Sequence, residues 1–122
     1  MPEVMDSILL SIKKLNSVPQ DYTAFDDDFV MWINGALSDL VQLGIGPTEG
    51  FSVEDENDEW DDYLPSSHLR DGVKTYIALH VRTFFDPLPT SFGQQMMKDQ
   101  LEEKAWRLKA MQEDLDREAV EQ

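Results

Sequence analysis

Four stretches of this chain repeat apolar residues at intervals of three and four, and each ends in residues that a helix does not pass. The first runs from about Pro2 to Leu15, with Val4, Ile8, Ile12 and Leu15 on one face and Leu9 beside them. Pro2, Glu3 and Asp6 suit the start of such a helix, Lys13 and Lys14 suit its end, and Asn16 to Pro19 stop it. The second begins near Asp26, where three consecutive aspartates meet the unpaired N–H groups of a first turn. Phe29, Ile33, Leu37, Leu40 and Val41 form its stripe, and Gly44 offers a left-handed stop. The third opens at Ser66 or Ser67 and carries Leu69, Val73, Tyr76, Ile77, Val81 and Phe84 as far as Asp86-Pro87. The fourth, capped by Thr90 or Ser91, has no Gly or Pro from Gln94 to Gln122. Leu101, Leu108 and Leu115 recur along it every seven residues, with Met97 and Met111 offset to the same side. That seam is narrow, so its first half is expected to pack in a bundle and its charged end to project, fray or find a partner.

The expected fold is therefore mainly α: a four-helix bundle with a long acidic loop between helices two and three and a long C-terminal helix. The loop, residues 44–65, exceeds the usual length of a connection in a compact domain. Phe51-Ser52-Val53 alternates like a short strand, so a small β-hairpin is one form the loop can take. Phe51, Val53, Trp60, Tyr63 and Leu64 are the expected anchors that pin it to the bundle. Residues 1–112 then form one domain, and residues 113–122 a charged tail or helix extension.

Charge narrows the function. Ten Lys and Arg stand against 25 Asp and Glu in 122 residues, a formal charge of −15. A chain this acidic does not wrap nucleic acid by neutralising phosphates, and it is repelled by an anionic membrane surface. Without cysteine there is no disulfide framework, thiolate nucleophile or Cys-based zinc site. No apolar run approaches the ~20 residues of a membrane span. The N-terminal apolar stretch lacks a basic region before it, so an intracellular protein without a secretory signal is expected.

The acid is concentrated. Glu54, Asp55, Glu56, Asp58, Glu59, Asp61 and Asp62 are seven carboxylates in nine residues, and no Lys or Arg occurs between Lys14 and Arg70. Four readings stand side by side. A solvated loop keeps the protein soluble. A calcium loop would use Asp55, Asn57 and Glu59, but Trp60 and Ser66 occupy the places where such a loop needs Gly and Glu. A wall that faces DNA without holding it needs dense carboxylates, which repel phosphates across roughly 8–10 Å. A DNA mimic would spread acids over the whole molecule, whereas bases return in the last two helices.

Catalytic patterns are absent: no P-loop, no Gly-rich dinucleotide turn and no GxSxG. His68 and His80 lack a partner set, and His80 reads as a packed or interface residue one turn from Tyr76 and Phe84. Trp32 and Trp106 read as core or interface residues. No enzyme activity, cofactor or metal is expected.

Several fragments in order then carry a likeness. Asp21-Tyr22-Thr23 and Phe25-Asp26 lead into a helix ending Gln42-Leu43-Gly44-Ile45-Gly46-Pro47. Gly50-Phe51-Ser52-Val53 and Trp60-Asp61-Asp62-Tyr63-Leu64 follow, then Val73-Lys74-Thr75-Tyr76-Ile77, Val81-Arg82 and Phe85-Asp86-Pro87-Leu88-Pro89. The last helix contributes Glu103-Lys104-Ala105-Trp106-Arg107-Leu108. Over roughly Ser7 to Gln112 this set resembles the small head–tail connector (adaptor, or head-completion) proteins of long-tailed bacteriophages.

The resemblance implies a helical subunit of a ring, commonly a dodecamer, in the neck of the virion beneath the portal protein. Such a ring extends the channel for double-stranded DNA and seats the next connector or tail-completion protein. Before assembly the subunit would lie in the host cytoplasm. The alternative is a free acidic inhibitor or DNA mimic acting on a host DNA-binding protein. On the connector reading the seven loop carboxylates face the channel. Met97, Leu101, Trp106, Leu108, Met111 and Leu115 form a subunit or portal interface. Arg70, Lys74, Arg82 and Arg107 are expected to meet acidic neighbours. The loop charges are expected to be dispensable for the fold, so that Lys at Asp55, Glu56, Asp58 and Glu59 leaves the bundle intact.

Overall fold

A computed structural model describes residues 3–64 and 68–121. It is mainly helical, with α1 at Ile8–Leu15, α2 at Asp26–Gln42, α3 at Trp60–Tyr63, α4 at His68–Phe85 and α5 at Ser91–Glu121. The expected positions of Pro2, and of Ser66 or Ser67 as the opening of the third bundle helix, lie outside the described residues, as does Pro65 at the end of the loop.

The short helix α1 is the centre of the molecule. Every residue from Ile8 to Lys13 is buried, as befits a helix that neighbours surround on all sides. Its start lies at Ile8, later than the periodicity suggested, and the cause is a backbone pairing. Ile8 N–H donates to the Asp58 carbonyl at 3.0 Å, and the Asp6 carbonyl accepts from Trp60 N–H at 2.9 Å. Ser7 and Glu59 thus form an antiparallel bridge, and the backbone that would extend the helix backwards is committed to the loop. Ser7 instead caps α1, its hydroxyl accepting from Leu10 N–H. At the other end the buried Lys13 pairs with Asp26 at 2.8 Å and donates to the Gln20 carbonyl, tying α1 to the first turn of α2.

Helix α2 carries its three aspartates in the first turn, and Phe29, Ile33, Ala36, Leu37 and Leu40 are buried. It ends in a Schellman motif. Gly44 at φ +83° turns the chain, Gly44 N–H donates to Val41 and Ile45 N–H donates back to Leu40, with Ile45 and Leu40 both buried. Gly46 follows at φ +89°, and a Cβ there would lie 2.6 Å from the Tyr63 ring.

Helix α4 packs against α1, α2 and α5 and buries Leu69, Val73, Tyr76, Ile77 and Val81. Phe84, expected on the same stripe, is 56% exposed. Thr90 caps α5, its hydroxyl accepting from Gly93 N–H. The two helices come closest where Leu108 lies over Gly72, at which a Cβ would stand 2.8 Å from the leucine methyl. Beyond Gln112, α5 outruns its support: residues 113–120 are all exposed, yet the helix continues unbroken to Glu121.

Candidate interaction surfaces

The acidic connection is a built structure. Among the described residues it contains no strand, and the reason lies at Asn34. The Asn34 side chain accepts from Val53 N–H at 2.7 Å and donates to the Val53 carbonyl at 3.0 Å. One amide on α2 therefore does for Val53 what a neighbouring strand would have done. The segment near Trp60 is a single helical turn, α3, in place of the second half of a hairpin.

All five expected anchors point inward. Trp60 is fully buried, Val53, Tyr63 and Leu64 are buried, and Phe51 is partly buried against the core with its ring 5.2 Å from that of Tyr63. Trp60 Nε1 donates to Ser11 Oγ at 2.9 Å, so a buried indole finds its acceptor on the central helix. Lys74 Nζ lies 5.2 Å from the centre of the same ring. The Tyr63 hydroxyl is buried without a hydrogen-bond partner among the described residues, and burial pushes its pKa up to about 12.

The carboxylates divide into two sets. Asp58 accepts from the N–H groups of Glu54 (2.7 Å) and Asp55 (3.2 Å), Asp55 accepts from Asn57, and Asp62 accepts from Glu59. Asp61 pairs with Arg70, whose guanidinium also reaches the Leu64 carbonyl. These groups hold the loop's own backbone. The expectation that Asp55 and Asp58 are dispensable for the fold is therefore corrected. Glu54 and Glu56 make no such bond among the described residues. Among those residues no three His, Asp or Glu converge as a metal-binding group.

The expected outward bases are also engaged within the subunit. Arg70 holds Asp61, Lys74 lies over Trp60, and Arg107 pairs with Glu103 at 2.6 Å. Three of the four named bases thus have internal work, and Arg82 is exposed.

The seam on α5 splits in the same way. Met97 and Leu108 are buried by the subunit itself, while Leu101 and Met111 are half-buried against its core. Trp106 is 71% exposed, so it has no place in the bundle core, and Leu115 is 43% exposed. Two clefts run between α4 and α5. One of about 510 Å³ contains Thr75, Gln100, Lys104 and Arg107, and one of about 390 Å³ contains Thr83, Gln94 and Lys98.

A second surface escaped the sequence reading. Tyr22, Phe25, Phe85, Phe29, Trp32 and Phe84 form a continuous run of ring contacts, with centroids 4.9 to 5.9 Å apart and Trp32 stacked on Phe84. Its outer members, Tyr22 (48%), Phe25 (37%) and Phe84, remain open. His80 continues the run, 5.4 Å from Phe84 and 6.3 Å from Tyr76. Burial lowers the His80 pKa, and Asp39 opposes that shift. Helical periodicity had assigned Phe84 to the core. The signal available was the bunching of aromatics at 22, 25, 29 and 32 with 84 and 85, which periodicity alone does not weigh.

No helix among the described residues is long and apolar enough to cross a membrane. No curated protein and no solved structure matches the chain significantly. A family model does: residues 8–114, from the first residue of α1 into the unsupported end of α5, match that of the phage connector protein. With that match spanning nearly the whole chain, in the same order of helices and loop that carried the likeness, the chain belongs to the phage connector family, the head–tail connectors of bacteriophages.

Proposed function

We propose that the subunit assembles as a ring, commonly twelve-fold in such connectors, beneath the portal, extending the DNA channel and seating the next connector. The acidic loop faces the channel. The observation that carries this reading is the fixed shape of an acidic segment, residues 44–64, that contains no Lys or Arg of its own and engages Arg70 and Lys74 of α4 at Asp61 and Trp60. The backbone of residues 54–62 is held by its own aspartates, and the Glu54 and Glu56 side chains make no hydrogen bond among the described residues. A wall of that kind repels phosphates more than it holds them, so DNA slides past it. Trp106 and Leu115, which the subunit does not cover, meet a neighbouring subunit or the portal. Residues 113–122 reach toward the portal, and the host cytoplasm holds the subunit before assembly.

The test uses the two carboxylates that the fold does not employ. Glu54→Lys with Glu56→Lys is expected to leave the helical signal and the unfolding midpoint unchanged, and to slow genome ejection from assembled particles. Retention of DNA should be greatest at low salt, where screening is weakest. Unchanged ejection at low salt would remove the loop from the channel wall.

A further inference from the structure

We infer that Asn34 is the positioning residue of the acidic wall: from α2 it sets where the turn at residues 54–58 stands, a task the bundle itself does not require. The turn is one unit. Asp58 accepts from the N–H groups of Glu54 and Asp55, and the Asp55 side chain accepts from Asn57 N–H, so its polar groups close on one another. Such a unit is placed by its two ends. At the far end the Asp58 carbonyl accepts from Ile8 N–H, and Trp60 N–H donates to the Asp6 carbonyl beside a fully buried indole. At the near end stands Val53, whose N–H and carbonyl both meet the Asn34 side chain. Among the described residues, no other group outside the loop hydrogen-bonds to residues 47–57.

Apolar anchoring does not replace these two bonds. Phe51 and Val53 hold the segment down, but burial of apolar area has no direction, whereas paired bonds to one planar amide fix register and tilt. Packing also leaves the chain room to shift, because a cleft of about 280 Å³ lies between α2 and residues 49–52, with Asn34 at its edge. Exposure alternates at this point: Ser52 is open, Val53 buried and Glu54 open. The bonds that seat Val53 therefore turn Glu54 outward. Helix α2 gains little from the asparagine. Its buried stripe of Phe29, Ile33, Ala36, Leu37 and Leu40 runs without it, and asparagine is a poor residue for a helix interior.

The consequence for DNA rests on the channel reading, whereas the position of the turn is measured without it. The chain has no cysteine, so nitroxide labels at Asn57→Cys in the turn and Met31→Cys on α2, both exposed positions, report one distance. That distance should be narrowly distributed in the parent chain. Asn34→Ala should broaden it several-fold while the helical signal stays unchanged. Asn34→Asp should broaden it at neutral pH, where a carboxylate faces the Val53 carbonyl. Narrowing should return toward pH about 4, where the protonated carboxyl again offers one donor and one acceptor. A distribution in Asn34→Ala as narrow as the parent's, or no acid recovery in Asn34→Asp, would overturn the assignment. In particles, Glu54→Lys with Glu56→Lys slows ejection at low salt, whereas Asn34→Ala, by letting the turn swing into the bore, should slow it several-fold at low and high salt alike. Slowing by the lysines but not by Asn34→Ala refutes the positioning and leaves the channel reading standing. Slowing by neither refutes the channel reading, and the label distances still decide what Asn34 holds.

Discussion

The acidic connection and helix α5 reverse what their compositions suggest. Residues 44–64 carry eight carboxylates, yet they are tied down by Asn34, by Ser11 through Trp60, and by three of their own aspartates. Helix α5 is the longest regular element, yet its last residues rest on nothing and its tryptophan faces outward. Charge count therefore does not measure order. What decides is where each side chain's hydrogen bonds and apolar area go. A dense acidic run becomes rigid when its oxygens accept from its own backbone, and a helix stays regular past its last contact because its bonds are internal.

The two tryptophans give the sharpest break. Trp60→Ala removes a fully buried ring and strands the Ser11 contact, so it should cost about 3–5 kcal/mol in denaturant unfolding. Trp106→Ala should cost less than about 0.5 kcal/mol in the isolated subunit and act on association instead. Equal costs would dissolve the distinction between the regions. Next is Gly46→Ala, which meets both a left-handed backbone and the Tyr63 ring; a loss of about 2–4 kcal/mol is expected. Asp58→Ala leaves two loop N–H groups without their acceptor and should cost about 1 kcal/mol, with faster hydrogen exchange at Glu54 and Asp55. Glu56→Ala, on the same loop, should change neither.

The smallest effect is at Tyr63. Its pKa is raised to about 12 by burial, so the unfolded chain releases this proton near 10 while the folded chain holds it. Stability from this group is complete below about 10 and falls as pH rises from there toward 12. Tyr63→Phe should leave neutral stability unchanged or slightly higher, because it deletes a buried hydroxyl with no partner, and should flatten the alkaline loss. A steep alkaline loss surviving in the phenylalanine variant would place its origin elsewhere.

Much of this architecture was legible because local rules and burial agreed. The stripes of the second and third periodic segments (Val41 and Phe84 apart), the Gly44 stop and the Thr90 cap each follow from spacing and backbone chemistry that no distant residue alters. The readings that failed depended on distant partners. Ser7 meets Glu59, and Asn34 meets Val53, so the start of α1 and the missing strand were decided by residues far along the chain. The exposure of Trp106 was hidden for another reason: a narrow seam at seven-residue spacing does not say which of its flanking residues turn outward. The aromatic patch needed α2 and α4 side by side before it existed at all.

The most direct measurement is a reconstruction of the portal vertex in purified particles. A ring of helical subunits beneath the portal, with residues 54–62 on the channel wall and each Trp106 covered, is the expected result. Particles without this chain at the neck, or a ring whose acidic loops point outward while Trp106 stays bare, would contradict it.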